Sequence, residues 1–98
     1  MLAAPQPDVP SWTFLTNHAH VLLAVSRDAE VRQKDIAYAV GITIGAVQRI
    51  IGELEAEGYI TSERVGRRNR YRVSLDRPLR HPLESAHTIQ DLLASLDQ

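Results

Sequence analysis

The stretch Thr43 to Glu57, TIGAVQRIIGELEAE, decides how the rest of the chain is read. Its apolar residues fall at Val47, Ile50, Ile51 and Leu54, the i, i+3, i+4, i+7 spacing of a helix with one buried face. Thr43 stands where a hydroxyl caps the first backbone N–H groups. Gly58 stands just past the far end, where a left-handed closing residue is wanted. Ile44, Gly45, Gln48, Arg49 and Gly52 are left facing outward. Small, polar and basic residues over the exposed N-terminal half suit a helix that lies against DNA, and the segment reads as a recognition helix.

Upstream, residues 33–39 predict a shorter helix with Ile36, Ala37 and Val40 turned inward. Gly41-Ile42-Thr43 then ends one helix, plugs the core and opens the next, which is the order of a helix-turn-helix. A first helix is expected from Asn17 to Arg27, capped by Thr16 or Asn17. Its apolar positions cover more than one stripe and imply burial on two sides. Residues 28–30 read as a turn, with Val31 and Arg32 as a one-rung strand. Residues 1–10 carry three prolines and predict a mobile tail. Trp12, Phe14 and Leu15 are too apolar for a tail and are expected to pack on the core or on a partner chain.

Downstream the period changes. Residues 59–63 and 70–75 read as strands, with Ile60, Val65, Tyr71 and Val73 as inward anchors. Gly66-Arg67-Arg68-Asn69 is the expected hairpin tip. A hairpin directly after a recognition helix is a wing, so the fold is expected to be a winged helix-turn-helix, mainly α with a small β-hairpin (α+β). The organisation that follows is a tail over 1–10, a winged DNA-binding domain over 11–80, and a C-terminal helical segment over 81–98. In that last segment Pro82 suits a short helical turn. Thr88 and Asp91 form a variant capping box. Ile89, Leu92, Leu93 and Leu96 repeat the helical spacing. So short a helix must dock, either on its own core or on the same helix of a second copy. Trp12, Phe14, Ile89, Leu92, Leu93 and Leu96 are accordingly the expected dimerisation residues.

The 98 residues suffice for one domain. There is no cysteine, which removes disulfides, thiolate metal sites and thiol catalysis. The longest apolar run, Val21 to Val25, is far short of a membrane span, and no signal peptide is expected. A cytoplasmic, nucleoid-associated protein with no membrane partner is the expectation. The formal net charge of −1 conceals an uneven distribution. Seven arginines (64, 67, 68, 70, 72, 77 and 80) stand between Arg64 and Arg80 against one acid, Asp76. Five of them fall within Arg64 to Arg72 and repel one another unless a polyanion neutralises them.

The segments TNHAHVLLAV (16–25), KDIAYAVGIT (34–43), AVQRIIGELEAEGYI (46–60), RVGRRNRYRV (64–73) and RHPLE (80–84) together resemble small bacterial winged-helix transcriptional regulators of the MarR/ArsR type. The resemblance implies base contacts from Thr43, Ile44, Gly45, Gln48 and Arg49, with Arg67, Arg68 and Arg70 at the wing. The chain departs from the pattern in two ways. It lacks the long flanking dimerisation helices of typical MarR proteins, which weakens the expectation of a dedicated ligand pocket. It also lacks the cysteine motif of thiolate-type ArsR sensors.

Given that fold, Gln48 suits an adenine edge and Ile44 a thymine methyl. Thr43 serves as cap and phosphate contact, and arginine at a wing tip suits a narrow minor groove. Arg64, Asn69 and Arg72 complete the basic hairpin, with Arg64 and Arg72 nearer the strand bases, facing phosphates or nearby acids. Arg49 also stands four residues before Glu53, and Arg77 and Arg80 near Asp76 and Glu84. Gly45 and Gly52 each weaken the helix by ~1 kcal/mol relative to alanine; close approach to DNA accounts for the first and packing for the second. Glu53, Glu55 and Glu57 read as a solvated acidic face. His18 and His20 point to different helix faces, leaving only ligation between subunits with His81 or His87 as a metal-sensing alternative. No nucleophile elbow or glycine-rich phosphate cradle appears, so neither catalysis nor a cofactor is expected. The sequence thus predicts a regulator binding double-stranded DNA as a homodimer on an inverted repeat. A protein-interaction module using the Leu92/Leu93/Leu96 face without DNA is the alternative from another class. Operator and small-molecule effector stay open.

Overall fold

The computed structural model describes residues 8–97, arranged as α1 (Asn17–Arg27), α2 (Gln33–Val40), α3 (Ile44–Ala56), β1 (Ile60–Val65), β2 (Arg68–Val73) and α4 (Ile89–Leu96). The first seven residues of the expected tail lie outside the described part. Three helices and a two-stranded antiparallel hairpin enclose one core, a winged helix. Val21, Leu22 and Val25 of α1, Ile36, Ala37 and Val40 of α2, and Val47, Ile50, Ile51 and Leu54 of α3 fill it. Ile60 and Tyr71 enter from the hairpin. The apolar spacing read from the sequence is therefore the packing pattern itself.

Each helix end has a local cause. Thr16 and Thr43 cap α1 and α3 by accepting from Ala19 N and Ala46 N at 3.4 and 3.0 Å. Between α2 and α3 the chain bends by 104°, within the range of helix-turn-helix motifs, and Ile42 packs half-buried against the core. At the end of α3, Tyr59 N donates to Leu54 O (2.8 Å) and Gly58 N to Glu55 O (3.0 Å), the paired bonds of a Schellman closure. That closure requires the left-handed φ of +78° at Gly58.

The hairpin differs from expectation at its tip and at one anchor. Val65 pairs with Arg68, so the loop is the two residues Gly66 and Arg67, while Arg68 and Asn69 belong to β2. Gly66 at φ +63° followed by a residue with negative φ is the pattern of a type II′ turn. Val65 is 39 % exposed instead of facing inward. Ile60 and Val65 are five residues apart, and side chains on a strand alternate faces, so one pleat face cannot hold both. The single rung expected at Val31 and Arg32 is supplied by Ala29, whose carbonyl accepts from Tyr71 N at 2.8 Å.

The C-terminal segment closes the same core across the expected boundary at residue 80. Leu79 N bonds to His87 O, Ile89 N to Arg77 O and Gln90 N to Leu75 O, at 3.0, 2.9 and 2.9 Å. Successive turns over 82–86 replace the short helical turn expected at Pro82. Ile89, expected to face a partner, is 4 % exposed and belongs to its own chain's core. Its burial contributes about 2 kcal/mol, which helps hold a helix too short to persist alone, since roughly 12–15 residues is marginal. Leu93 packs against the same core. Arg27 donates to Leu96 O at 3.3 Å, tying the far end of α4 to α1. The capping box is complete: Thr88 Oγ1 accepts from Asp91 N, and Asp91 Oδ2 from Thr88 N.

Two outcomes follow from these closures. A Cβ at Gly58 would stand 2.9 Å from Arg77 Nη2 at a positive φ, so Gly58→Ala should destabilise the fold by about 1 kcal/mol or more in denaturant unfolding. The Thr88 N–H, and secondarily His87, hold the Asp91 carboxyl below its ordinary value of 3.8. The charged form is favoured by folding, so its stabilisation is complete above that value and lost as pH falls through the lowered one. Asp91→Asn should therefore lower the melting temperature at neutral pH and remove part of its acid dependence in melting curves followed by circular dichroism.

Candidate nucleic-acid interface

Burial of the Val47, Ile50, Ile51 and Leu54 face leaves Thr43, Ile44, Gly45, Gln48 and Arg49 exposed, with Ile44 at 47 %. A Cβ on Gly45 would have Thr43 Oγ1 as its nearest neighbour at 3.9 Å, and one on Gly52 would meet nothing within 4 Å. Packing therefore does not account for Gly52. Arg49 Nη1 lies 3.3 Å from Glu53 Oε2, the i,i+4 pair anticipated from spacing. Glu53 also holds His18, whose Nε2 is 2.6 Å from Glu53 Oε1. The His18 hydrogen bond, with Arg49 adding to it, keeps the Glu53 carboxyl below its ordinary value. Gln48 is not solvated alone: its Nε2 donates to Gln33 Oε1 at 3.3 Å.

On the hairpin the five arginines separate into roles. Arg70 is bound by Glu30 through Nε and Nη2 at 3.2 and 2.9 Å, with Glu63 opposite it at 3.9 Å. Arg64 lies one rung from the turn rather than near a strand base, paired with Asn69 and donating to Gly66 O at 3.3 Å. Arg72 pairs with Thr61 toward the base. Among the described residues, Arg64, Arg67, Arg68 and Arg72 are exposed and form no ion pair. Asn69 is half-buried. Arg77 does not pair with Asp76; it donates to Glu57 O and lies 5.5 Å over the Tyr59 ring, while the Tyr59 hydroxyl donates to Pro78 O.

Trp12 and Phe14 touch each other edge to face at 5.1 Å and remain 68 % and 93 % exposed. They do not pack on the core as one reading of the sequence had it. Leu92, Leu93 and Leu96 are half-buried on α4. Phe14, Leu15, Leu79 and Leu92 line a groove of about 390 Å³ that reaches Glu53 and Leu54 of α3, at the other end of that helix from Ile44. No spacing pattern signals such a groove. The histidines are separately engaged, His20 with Asn17 and His87 with Asp91. Among the described residues no three His, Cys, Asp or Glu side chains gather into a possible metal site. Among the described residues, too, no single helix is long and apolar enough to cross a membrane.

The contacts that spacing missed, His18 to Glu53, Glu30 to Arg70 and Gln33 to Gln48, join residues 35, 40 and 15 positions apart. No periodicity signals such pairs.

No curated protein matches the sequence. Among solved structures, the PcaV transcriptional regulator from Streptomyces coelicolor, determined with its natural ligand, is similar over 61% of this chain and 45% of its own. Its identity is 21% and its TM-score 0.54. MepR, a transcription regulator of the Staphylococcus aureus multidrug efflux pump MepA, is 26% identical over 59% of this chain and 45% of its own, with a TM-score of 0.50. A variant of Lactococcus lactis ZitR is 21% identical over 74% of this chain and 49% of its own, with a TM-score of 0.54. The chain thus spans just under half the length of these proteins. The MarR family profile matches residues 13–70, from the aromatic segment through the helix-turn-helix to the second strand of the wing. The chain belongs to the MarR family.

Proposed function

We propose that this chain is a non-enzymatic, sequence-specific transcriptional regulator that binds double-stranded DNA. One observation carries the reading: four exposed hairpin arginines without an acidic partner accompany a capped helix whose outward N-terminal half is small, polar and basic. Thr43, Ile44, Gly45, Gln48 and Arg49 enter the major groove, with Thr43 contacting phosphate, Ile44 a thymine methyl and Gln48 an adenine edge. Arg67 at the turn and Arg68 beside it reach the backbone or the adjacent minor groove, and Arg64 and Asn69 support them. Arg70 acts differently. Its bonds to Glu30 hold the wing in place, and DNA contact by it would have to compete with that pair.

The working unit is a homodimer on an inverted repeat, with half-sites roughly 10–10.5 bp or a multiple of that apart. Trp12 and Phe14, with Leu92 and Leu96, form the apolar surface that a second copy covers; Ile89 and Leu93, engaged by the chain's own core, stand outside that set. PcaV, solved with its natural ligand, supports a small effector for this chain as well, and the groove at the C-terminal end of α3 has the volume of a small-molecule site. A regulator of this kind works in the cytoplasm at the nucleoid.

Binding measured by fluorescence anisotropy across a salt series tests the DNA face. Arg67→Ala with Arg68→Ala should weaken binding to all sequences and flatten the logarithmic salt slope by about 1 per arginine; an unchanged slope sinks the wing assignment. Gly45→Ala and Gly52→Ala should each raise stability by about 1 kcal/mol. Only Gly45→Ala should also lower DNA affinity, because only that position lies in the N-terminal turn that enters the groove, Gly52 standing about two turns further along the same face; equal affinities for the two variants would count against that approach.

A further inference from the structure

Gln48 stands in the middle of the exposed face of α3, and its side-chain nitrogen donates to Gln33 Oε1 at 3.3 Å. Gln33 opens α2, and its own nitrogen donates to the Tyr71 hydroxyl at 3.4 Å. Tyr71 is 4 % exposed, and β2, to which it belongs, is held by the Ala29 rung and the core. Donation thus runs as a relay from Gln48 at the surface through Gln33 to the buried phenol, linking α3, α2 and the wing.

Direction matters because a glutamine amide is two-faced. It offers two N–H donors and one carbonyl acceptor, and rotation about its last bond exchanges the two ends. With its nitrogen on Tyr71, Gln33 presents its carbonyl oxygen to α3. That oxygen takes one N–H of Gln48 and leaves Gln48 with one N–H and its carbonyl directed elsewhere. With Gln33 in that orientation, reversal of the Gln48 amide alone would set two carbonyl oxygens against each other. One donor beside one acceptor complements the N7 acceptor and N6 donor of adenine, whereas guanine offers two acceptors on the same edge.

We propose that Gln33 is a specificity-positioning residue: anchored by Tyr71, it fixes the amide of Gln48 in the orientation that reads adenine. The proposal rests on the reading of this chain as a DNA-binding regulator with Gln48 on the major groove. Gln33 itself touches no base.

The test is selection of bound duplexes from a random DNA pool by the full chain and by variants, scored base by base, with salt slopes and melting curves measured alongside. Gln48→Ala identifies the base position read by that side chain, where adenine preference should fall about tenfold. Gln33→Met keeps length and removes both hydrogen bonds. It should cut preference at the same position by several-fold, leave the other positions and the salt slope unchanged, and add nothing when combined with Gln48→Ala. Gln33→Glu retains an acceptor for Gln48, with the Tyr71 hydroxyl now donating, and should restore the adenine preference at lower overall affinity. If Gln33→Met leaves preference intact where Gln48→Ala removes it, or lowers every position equally, the positioning role is overturned. A folded Gln33→Glu protein that has lost the preference also overturns it, and this arm decides the matter if Gln33→Met fails to fold. An unchanged motif with Gln48→Ala removes the Gln48 assignment and the relay with it but leaves the regulator standing. No enriched motif for the parent overturns both.

Discussion

Burial of Val47, Ile50, Ile51 and Leu54 fixes α3 about its long axis, and every outward-facing residue of that helix inherits its direction from this face. A rotation of one residue, about 100°, would bring Gln48 toward the core and Val47 toward solvent, at a cost of roughly 2 kcal/mol for exposing each large aliphatic side chain. The Thr43 cap and the Gly58 closure fix where the helix begins and ends along that axis. The candidate reading face is therefore a by-product of hydrophobic packing. Its polar residues contribute little to holding the helix in place and are left available for recognition.

The hairpin poses the opposite problem. An isolated two-stranded hairpin is marginal in water, and five arginines along one make it worse through mutual repulsion. Its base is secured instead by Ile60 and Tyr71 in the core, by the Ala29 rung, and by Glu30 holding Arg70. One cation of the five is thereby engaged in attachment, and the other four extend toward the tip and the outer surface. Anchoring at the base and unbalanced charge beyond it are two halves of one arrangement, which is why the net charge of the whole chain is a poor guide to what this element does.

How far the sequence could be read follows from the range of each signal. Local signals were sound. The spacing of Ile36, Val40, Val47 and Leu54, the threonine caps, Gly58 and the Thr88–Asp91 box all act within a turn or two of helix, and the structure has the expected elements there. The failures have physical reasons. Val65 has the β-branched character of an anchor, but its parity relative to Ile60 puts it on the outer pleat face. Ile89 shares a spacing with Leu92 and Leu96, and periodicity does not say whether the apolar face meets its own chain or another. The pairs that shape the candidate interface, with Glu30 on Arg70, Gln33 on Gln48 and His18 on Glu53, depend on tertiary proximity and leave no trace in spacing.

Glu53 joins the two ends of this picture. It accepts from Arg49 on the outward face of α3 and from His18 on α1, and it borders the groove beside Leu92. Its carboxyl is held in the charged form chiefly by His18. The same carboxylate pairs with Arg49, one of the residues proposed to face DNA, and forms part of the groove wall. Anything that fills the groove and draws Glu53 or His18 toward itself would weaken the hold on Arg49. The distance bridged is short, one helical turn from Glu53 to Arg49, so such coupling needs no change in the packing of α3 on the core. The helix that carries both residues is held in place by its buried face, and the surface pairs of Glu53 are additions to it.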